Sequence, residues 1–166
     1  AENFATVKLF VNGGGALPQK IREQFEKLSG AKILEGYGLS EASPVVSIND
    51  PKNSKEGSIG KPVPRTKVKI TDIETGLDVL AVGMTGEITV RGPQVMAGYY
   101  NKPEATAKKL RGGWLYTGDI GYMDAEGNLY LTDRRDDMAK ISGENVYPSE
   151  VEKVILRHPD IAETVV

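Results

Sequence analysis

The first forty residues alternate between a strand pattern and a helical pattern. The β-prone run 6–12 leads into a glycine-rich segment, and Pro18 stands where a proline can open a helix. Gly30 fits the end of that helix, and the apolar run 31–34 predicts a second strand. The apolar positions of the helix recur at spacings of four and three and therefore share one face: Ile21, Phe25 and Leu28. The pattern predicts a strand–helix–strand unit within a parallel α/β layer.

Short β-prone runs separated by turn residues fill the section from Gly57 to Asp133. One short helix is predicted over 103–110, where the composition suits that state. The segment Asp124–Asn128 is a hairpin signal between two of the strand-like runs. Closely spaced strands with turns between them predict a small sheet or a distorted barrel. The predicted strands are 68–71, 87–91, 115–116 and 129–132.

The last third of the chain contains a charged stretch and then a helical pattern. The stretch 133–137 is β-poor and marks a predicted boundary. Pro148 can open a helix whose apolar face carries Val151, Val154 and Ile155, and His158-Pro159 would end it. The apolar run 164–166 predicts the start of a strand. Because the chain also opens almost directly into a strand, both ends are interpreted as cuts.

Composition narrows the function classes. The 166 residues are 39% hydrophobic and 27% charged, which is typical of a globular protein. The net charge is -2 with both signs mixed along the chain, so neither a nucleic acid nor a membrane surface is an expected partner. No apolar run approaches the roughly 20 residues that span a bilayer. The chain has no cysteine and hence no thiolate metal site, and the cytoplasm is the expected location.

Three glycines, Gly13 to Gly15, follow the first predicted strand and precede the first predicted helix. A backbone without side chains can approach a flat or anionic ligand closely, and the helix N-terminus offers free N–H groups. The alternative is a loose connection between strand and helix, and the triplet alone does not decide between them.

The segment Gly36–Glu41 combines two glycines, an aromatic ring, a hydroxyl and a carboxylate. The flanking glycines would let Tyr37 present its ring at a turn, where it can stack on a base. Ser40 offers a hydroxyl to a phosphate oxygen, and Glu41 offers a hard oxygen ligand that suits Mg²⁺. A tight turn carrying a surface acid explains the spacing equally well.

Two further candidates are ambiguous when each is taken alone. Asp119 ends the run that begins at Trp114, and a carboxylate there could accept ribose hydroxyl groups. A strand end with an aspartate in the following turn explains the same pattern and is the better interpretation of Asp119 alone. The segment 133–146 packs charges around one glycine, as a solvated linker would, and Lys140 alone reads as a surface residue.

The order of these motifs carries more information than any one of them. A glycine-rich loop, Gly-Tyr-Gly-Leu-Ser-Glu at 36–41, Tyr-Thr-Gly-Asp at 116–119 and an Arg-Arg-Asp linker follow one another. Together they resemble the adenylate-forming superfamily, which includes acyl-CoA synthetases, firefly-type luciferases and peptide-synthetase adenylation domains. The segments 86–93 and 96–106 match further signatures of that family. The resemblance covers essentially the whole chain.

The resemblance implies a mixed α+β fold in three parts. Residues 1–56 would end an α/β subdomain of a large N-terminal domain, and 57–135 would form a β-rich, distorted-barrel subdomain. Residues 136–166 would contain the hinge and the truncated beginning of a small α+β C-terminal domain. Family members activate a carboxylate with ATP to an acyl-adenylate and then pass the acyl group to a thiol, so the implied ligands are ATP or AMP, Mg²⁺ and CoA.

The resemblance also implies roles for individual residues. Tyr37 would pack on adenine, Ser40 would contact phosphate, and Glu41 would help to hold Mg²⁺. Asp119 and Arg134 would grip the ribose hydroxyl groups. The remaining members of the expected nucleotide-binding side are small residues: Gly14, Gly15, Ala16 and Gly38.

A second set of roles concerns thioester formation. Asp136 falls on the hinge position, and Gly143 would lie near the pantetheine tunnel. Lys140 falls where some relatives keep a lysine for the second half-reaction. The segment Gly143-Glu-Asn-Val146 is similar to fatty- and aryl-acyl-CoA ligases, whereas peptide-synthetase domains usually carry an aromatic residue and an arginine after that glycine.

Three functions therefore stay open, in decreasing order of support. The first is part of an AMP-forming acyl-CoA synthetase for a medium- or long-chain fatty acid, with aryl acids behind it. The second is an amino-acid adenylation domain, and the third is a non-catalytic nucleotide-binding module. The phosphate loop with its lysine and the lysine that grips the carboxylate are both expected outside this chain. We therefore expect small-molecule substrates and no adenylation by the chain alone. We also expect exposed strand edges to pair in a homodimer, or else a chain of marginal stability.

Overall fold

The computed structural model describes residues 4, 6–15, 17–141, 144–158, 160–161 and 163–166. The predictions made for Ala16, Gly143 and Pro159 lie outside the described residues. The elements, in chain order, are β1 (Leu9–Asn12), α1 (Gln19–Ser29), β2 (Lys32–Gly38), β3 (Val45–Ile48), β4 (Lys61–Pro62), β5 (Lys67–Thr71), β6 (Gly86–Arg91), α2 (Pro103–Lys109), β7 (Leu110–Arg111), β8 (Trp114–Met123), β9 (Leu129–Arg134), β10 (Ala139–Ile141), β11 (Glu144–Val146) and α3 (Pro148–Ile155).

The strand–helix–strand unit at the start of the chain is confirmed. β1 and β2 pair in parallel, with Leu9 opposite Lys32, and α1 connects them. The helix follows Pro18 and ends at Gly30, whose φ of 71° is left-handed and whose N–H donates to the Glu26 carbonyl. On the apolar face of α1, Phe25 packs against Phe4 and Phe10. Its other two members, Ile21 and Leu28, are 51% and 84% exposed.

The segment Gly36–Gly38 lies in a strand, which corrects the expected turn. β2 runs on to Gly38 because it gains a second, antiparallel partner in β3, with Gly36 opposite Ile48. A Cβ atom on Gly38 would lie 1.7 Å from the Pro44 carbonyl oxygen, so this crossing of two backbones requires glycine. The turn comes afterwards, as a 3₁₀ helix over Ser40–Ala42.

The β-rich part of the chain is a curled sheet, and the mixed α+β fold class is confirmed. Its strands lie in the order β5-β6-β8-β7, with β9 added alongside β8. The four predicted runs all fall in strands of this sheet, and the run 115–116 belongs to a strand of ten residues. Its inner face joins side chains of the first sheet in one core, whose least exposed members are Ala42, Val46, Ile88, Val90, Leu115 and Leu129.

The predicted hairpin connects β8 and β9, with Met123 opposite Leu129. Its turn is held by the carboxylate of Asp124, which accepts hydrogen bonds from the backbone N–H groups of Glu126 and Asn128. This local chemistry explains why the turn could be read from the sequence.

In the last part of the chain, one element agrees with the prediction from the sequence and two differ from it. Helix α3 begins at Pro148, as predicted. The charged segment before it contains an unpredicted hairpin, β10 paired with β11. Residues 164–166 form no strand, which corrects the expected one, and the Val166 N–H donates to the carboxylate of Glu152 at 3.1 Å instead of to a strand partner. The three-part division at residues 56 and 135 stays a prediction.

Within the described residues, no helix is long and apolar enough to cross a membrane.

Candidate nucleoside-binding site

A β-bulge in β8 shapes the candidate site. Glu87 of β6 lies opposite Ile120, and Thr89 lies opposite Tyr116, so the single residue between them, Ile88, faces three residues of β8. Gly118, in the middle of those three, has φ of 83°. Only glycine adopts that conformation at low cost, and bulges of this kind redirect the neighbouring side chains.

The bulge places Asp119 inside a strand, which corrects the alternative of a strand end followed by a turn. Thr117 donates its hydroxyl to the Ile88 carbonyl at 2.7 Å and accepts the Asp119 N–H at 3.0 Å. These two bonds satisfy backbone groups that the interrupted ladder leaves without a partner. The carboxylate of Asp119 is thereby turned toward β2 of the other sheet.

Tyr37 meets this carboxylate from across the core. Its hydroxyl donates to Oδ2 of Asp119 at 2.5 Å, although the two residues are 82 positions apart in sequence. Burial, followed by the negative charge of Asp119, raises the pKa of Tyr37, so the phenol remains a donor. Burial also raises the pKa of Asp119, while the bond from Tyr37 and the charge of Arg134 act in the opposite direction.

Arg134 stands beside the same carboxylate on β9. It is the strand partner of Asp119, and its Nε lies 3.7 Å from Oδ1. The Arg134 side chain is 76% exposed, whereas that of Asp119 is 15% exposed. An ion pair so open to water contributes little to stability. Its guanidinium therefore remains accessible to a polar ligand that approaches Asp119.

Glu41 is held by a tyrosine that the sequence reading did not single out. The hydroxyl of Tyr99 donates to Oε1 of Glu41 at 2.6 Å, and the Met96 N–H donates to the Glu41 carbonyl at 2.8 Å. The bond from Tyr99 lowers the pKa of Glu41 and raises the pKa of Tyr99 to about 12. The signal was available, because Tyr99 lies in the recognised signature 96–106. Ser40, the neighbour of Glu41, is exposed at the start of the 3₁₀ helix.

Lys109 is a second residue that sequence reasoning missed. It ends α2, and its ammonium group donates to the Thr117 carbonyl at 3.1 Å, next to the bulge. Its positive charge contributes to the lowered pKa of Glu41 and opposes the rise in the pKa of Asp119, so it lies within electrostatic reach of the two carboxylates. In sequence it is one of two adjacent lysines at the end of a helix, and only the tertiary contact with the bulge in β8 brings it here.

The glycine-rich loop borders a pocket of about 210 Å³ between the first two strands and β3. Gly13 and Gly14 form one wall, Tyr37 and Gly38 form another, and Val45 and Ile48 are its apolar side. Gly14 has φ of 86°, and the Asn12 side chain donates to the Gly15 carbonyl at 3.0 Å. Tyr37 therefore contributes to the lining of this pocket, and its hydroxyl holds Asp119.

Of the described candidates for the second half-reaction, Lys140 lies apart from this group and Asp136 lies next to it in sequence. The ammonium of Lys140 forms an exposed ion pair with Glu74 at 2.8 Å, which raises the pKa of Lys140. Asp136 lies in a 3₁₀ helix over Arg135–Asp137, directly after Arg134. The structure thus brings together Tyr37, Asp119 and Arg134. Glu41 and Asp119 both lie within electrostatic reach of Lys109, whereas Lys140 lies elsewhere.

The surroundings of Glu41 suit a carboxylate that supplies one ligand to a magnesium ion. Mg²⁺ is usually bound by one or two carboxylates and completes its shell with phosphate oxygens and water. Oε1 of Glu41 is engaged by Tyr99, and Oε2 has no bond of that kind among the described residues. No group of three or more His, Cys, Asp or Glu side chains in that part of the chain could form a closed metal cage.

Comparisons with known proteins agree with this geometry. The family model described as AMP-binding enzyme matches residues 1–100. The chain is 51% identical, over 99% of its length, to a long-chain-fatty-acid–CoA ligase of Bacillus subtilis, and 40% identical, over its whole length, to a 3-hydroxybenzoate–CoA ligase of Aromatoleum sp. (strain CIB). It spans 29% and 32% of these relatives, less than a third of either.

The fold of this chain is also similar to that of a solved CoA synthetase. The chain superposes on o-succinylbenzoate coenzyme A synthetase (MenE) of Bacillus subtilis, in complex with ATP and a magnesium ion, with a TM-score of 0.82 and 40% identity. The match covers 94% of this chain and 32% of that protein.

Proposed function

Because this chain belongs to the AMP-binding enzyme family, we propose that it forms the nucleoside-binding part of an AMP-forming acyl-CoA ligase. In that reaction a carboxylate attacks the α-phosphate of ATP and releases pyrophosphate, and the thiol of CoA then displaces AMP from the acyl-adenylate. The observation that carries the proposal is the contact of Tyr37 and Arg134 with one carboxylate, that of Asp119.

Asp119 and Arg134 have the chemistry to recognise ribose. A carboxylate accepts hydrogen bonds from the two vicinal hydroxyl groups, and a guanidinium donates to their oxygens. Tyr37 holds Asp119 in place and borders the pocket, where its ring would pack on the adenine base. Gly14, Gly15 and Gly38 would let the ligand approach the backbone closely.

Glu41, Ser40 and Lys109 lie on the side where the phosphates would extend. Mg²⁺, when bound, would neutralise phosphate charge. Glu41 would supply one oxygen ligand to it, the hydroxyl of Ser40 would donate to a phosphate oxygen, and the ammonium of Lys109 would add positive charge. The substrate carboxylate is itself the nucleophile, so this part of the site requires no catalytic serine or histidine.

The substrate acid is proposed to be a medium- or long-chain fatty acid. The 51% identity to a long-chain-fatty-acid–CoA ligase supports this choice, and the 40% identity to a 3-hydroxybenzoate–CoA ligase makes an aryl acid the second candidate. The pocket of about 210 Å³ is smaller than the roughly 300 Å³ at which binding sites for whole small molecules begin, so it would hold only part of the ligand.

CoA as acyl acceptor and the hinge at Asp136 belong to the same proposal. The sequence Glu144-Asn145-Val146 is similar to CoA ligases and differs from the aromatic-plus-arginine pattern of carrier-protein enzymes. Lys140 would exchange Glu74 for another partner when the segment after Asp136 turns about the hinge.

The complete protein that contains this chain provides the test. Thioester formation should require ATP, Mg²⁺ and CoA, and it should be fastest with fatty acids in a panel that includes benzoates and amino acids. Preference for a benzoate would change the proposed substrate from a fatty acid to an aryl acid and would leave the proposed reaction unchanged. Transfer to a phosphopantetheinyl carrier but not to CoA, or ATP binding without pyrophosphate release, would contradict the proposed function.

A further inference from the structure

Glu87 is a charged residue in the middle of the curled sheet. It lies on β6, the strand between β5 and β8, and is only 2% exposed. Its neighbours Ile88 and Val90 are fully buried. Burial of a carboxylate costs several kcal/mol or more unless partners compensate it, so the groups that it binds explain its position.

The two oxygens of Glu87 bind two different segments. Oε1 accepts the N–H of Gly118 at 3.0 Å, and Oε2 accepts Nη1 of Arg135 at 3.1 Å. Gly118 is the bulge residue that precedes Asp119, and Arg135 directly follows Arg134. A single buried carboxylate therefore joins the backbone neighbour of each ribose-binding candidate.

These contacts constrain the pair that they flank. Asp119 and Arg134 are strand partners, but the ladder shifts register one residue pair further along, between Ile120 and Gly121. The bulge also interrupts the ladder on the other side of β8. Because the regular ladder is interrupted on both edges of β8, the two bonds of Glu87 add contacts that hold the bulge and the start of the linker relative to one another.

We propose that Glu87 is a positioning residue for ribose recognition, acting through Gly118 on Asp119 and through Arg135 on Arg134. This inference rests on the proposed function, because it assumes that Asp119 and Arg134 bind the ribose hydroxyl groups. It adds two residues, Glu87 and Arg135, that reach the ligand only through others. A purely structural ion pair would stabilise the sheet without affecting how well ribose is recognised.

The test uses the complete protein that contains this chain and compares its binding of AMP and of 2′,3′-dideoxyadenosine 5′-monophosphate, which lacks both ribose hydroxyl groups, by calorimetric titration. Glu87→Gln keeps an acceptor for Gly118 but removes the charge that binds Arg135. We expect it to weaken AMP binding about tenfold and to change binding of the dideoxy nucleotide by less than about twofold. Arg135→Gln should act in the same direction, while Arg135→Lys should retain most of the affinity because it keeps the charge.

Glu126→Gln is the matched control. It removes the same charge from an ion pair with Lys55, on the hairpin turn, where the Glu126 side chain is 64% exposed. It should leave both affinities unchanged. Amide exchange at Gly118 gives a readout that needs no ligand, and it should be at least about tenfold faster in Glu87→Gln than in the control, because a charged acceptor is replaced by a neutral one.

The outcomes distinguish a failure of the proposed ribose site from a failure of the positioning role of Glu87. If the unaltered complete protein binds the two nucleotides equally well, the ribose role of Asp119 and Arg134 is wrong, and if it binds neither, the proposed function is wrong; in both cases the inference falls. If the unaltered protein prefers AMP and Glu87→Gln keeps the same preference, the proposed site stands and the positioning role of Glu87 is wrong. Equal loss of both affinities in Glu87→Gln also overturns the positioning role, because it would indicate general damage to the sheet.

Discussion

At the scale of single residues, Asp119 is the group whose surroundings most clearly determine its chemistry. Burial raises its pKa, and its contacts with Tyr37 and Arg134 offset only part of that rise. A carboxylate in this position accepts hydrogen bonds from both ribose hydroxyl groups most strongly while it is ionised. Its acid–base state should therefore be visible in nucleoside binding.

We expect adenosine affinity to fall as the pH falls through the raised pKa of Asp119, because the protonated acid loses acceptor capacity. Asp119→Asn should weaken binding at pH 7 by about tenfold or more and should remove this pH dependence. Titration with adenosine between pH 4.5 and 8 measures both effects and avoids ionisation of a phosphate. An unchanged affinity in the asparagine variant would exclude Asp119 from ribose recognition.

The hydrogen bond between Tyr99 and Glu41 predicts a pH-dependent contribution to stability. The pKa of Glu41 is lowered, so the contribution is present above its ordinary pKa and is lost as the pH falls through the folded value. The pKa of Tyr99 is raised to about 12, so the contribution is also present at pH 7 and is lost only as the pH rises toward that value.

Tyr99→Phe should therefore lower the free energy of unfolding at pH 7 by about 1 kcal/mol, since the bond is charge-assisted but partly open to solvent. The difference from the unaltered chain should shrink in acid, as Glu41 becomes protonated. Urea unfolding at pH 7 and pH 3 measures it. Tyr100→Phe is the control, because Tyr100 is 89% exposed and the same change there should have no effect. A loss of equal size at both pH values would contradict the assignment.

At the scale of elements, features that depend on neighbouring residues in sequence could be predicted, and features that depend on distant strands could not. The helix start at Pro18, its end at Gly30 and the turn at Asp124 each follow from chemistry within a few residues. The extension of β2 to Gly38 depends on β3, and the bulge at Gly118 depends on β6. The same division applies to the site, since motifs identified Asp119 and Arg134, whereas Lys109 and Glu87 act through tertiary contacts.

Gly38 gives a test at this scale. A Cβ atom there would lie 1.7 Å from the Pro44 carbonyl oxygen, which belongs to the backbone and cannot rotate away. Gly38→Ala should therefore separate β2 from β3 and lower the free energy of unfolding by about 2 kcal/mol or more. Gly15→Ala is the matched control, because a Cβ atom there meets nothing within 4 Å. Equal melting temperatures for the two variants would show that the crossing of these backbones is looser than described.

At the scale of the whole molecule, β1 lies at one end of its sheet and pairs only with β2 within the described residues. Its Val11 is 60% exposed, and Ile21 and Leu28 of the adjacent helix are also exposed. An uncovered strand edge next to apolar side chains favours pairing with a second copy. The chain should therefore self-associate with increasing concentration in analytical ultracentrifugation.

Val11→Lys should shift that equilibrium toward the monomer, because a lysine on an edge strand opposes edge-to-edge pairing. Val154→Lys makes the same change at a position of nearly equal exposure, 61%, on α3, and should leave the association unchanged. A monomer at all concentrations, or an equal effect of both substitutions, would exclude the β1 edge as the contact.

This chain spans less than a third of the length of the ligases that it matches. With 29% of the length of the long-chain-fatty-acid–CoA ligase, the chain carries Glu41, Asp119 and Arg134, whereas the family resemblance expects the phosphate-loop lysine and the carboxylate-binding lysine outside it. The described cations near the carboxylates are Lys109 and Arg134, too few to bind a triphosphate and orient an attacking acid together. The purified 166-residue chain should therefore bind AMP but release no pyrophosphate from ATP with any acid of the panel. Carboxylate-dependent pyrophosphate release above background would show that this chain suffices for adenylation. The proposal that it supplies only the nucleoside-binding part of the site would then be wrong.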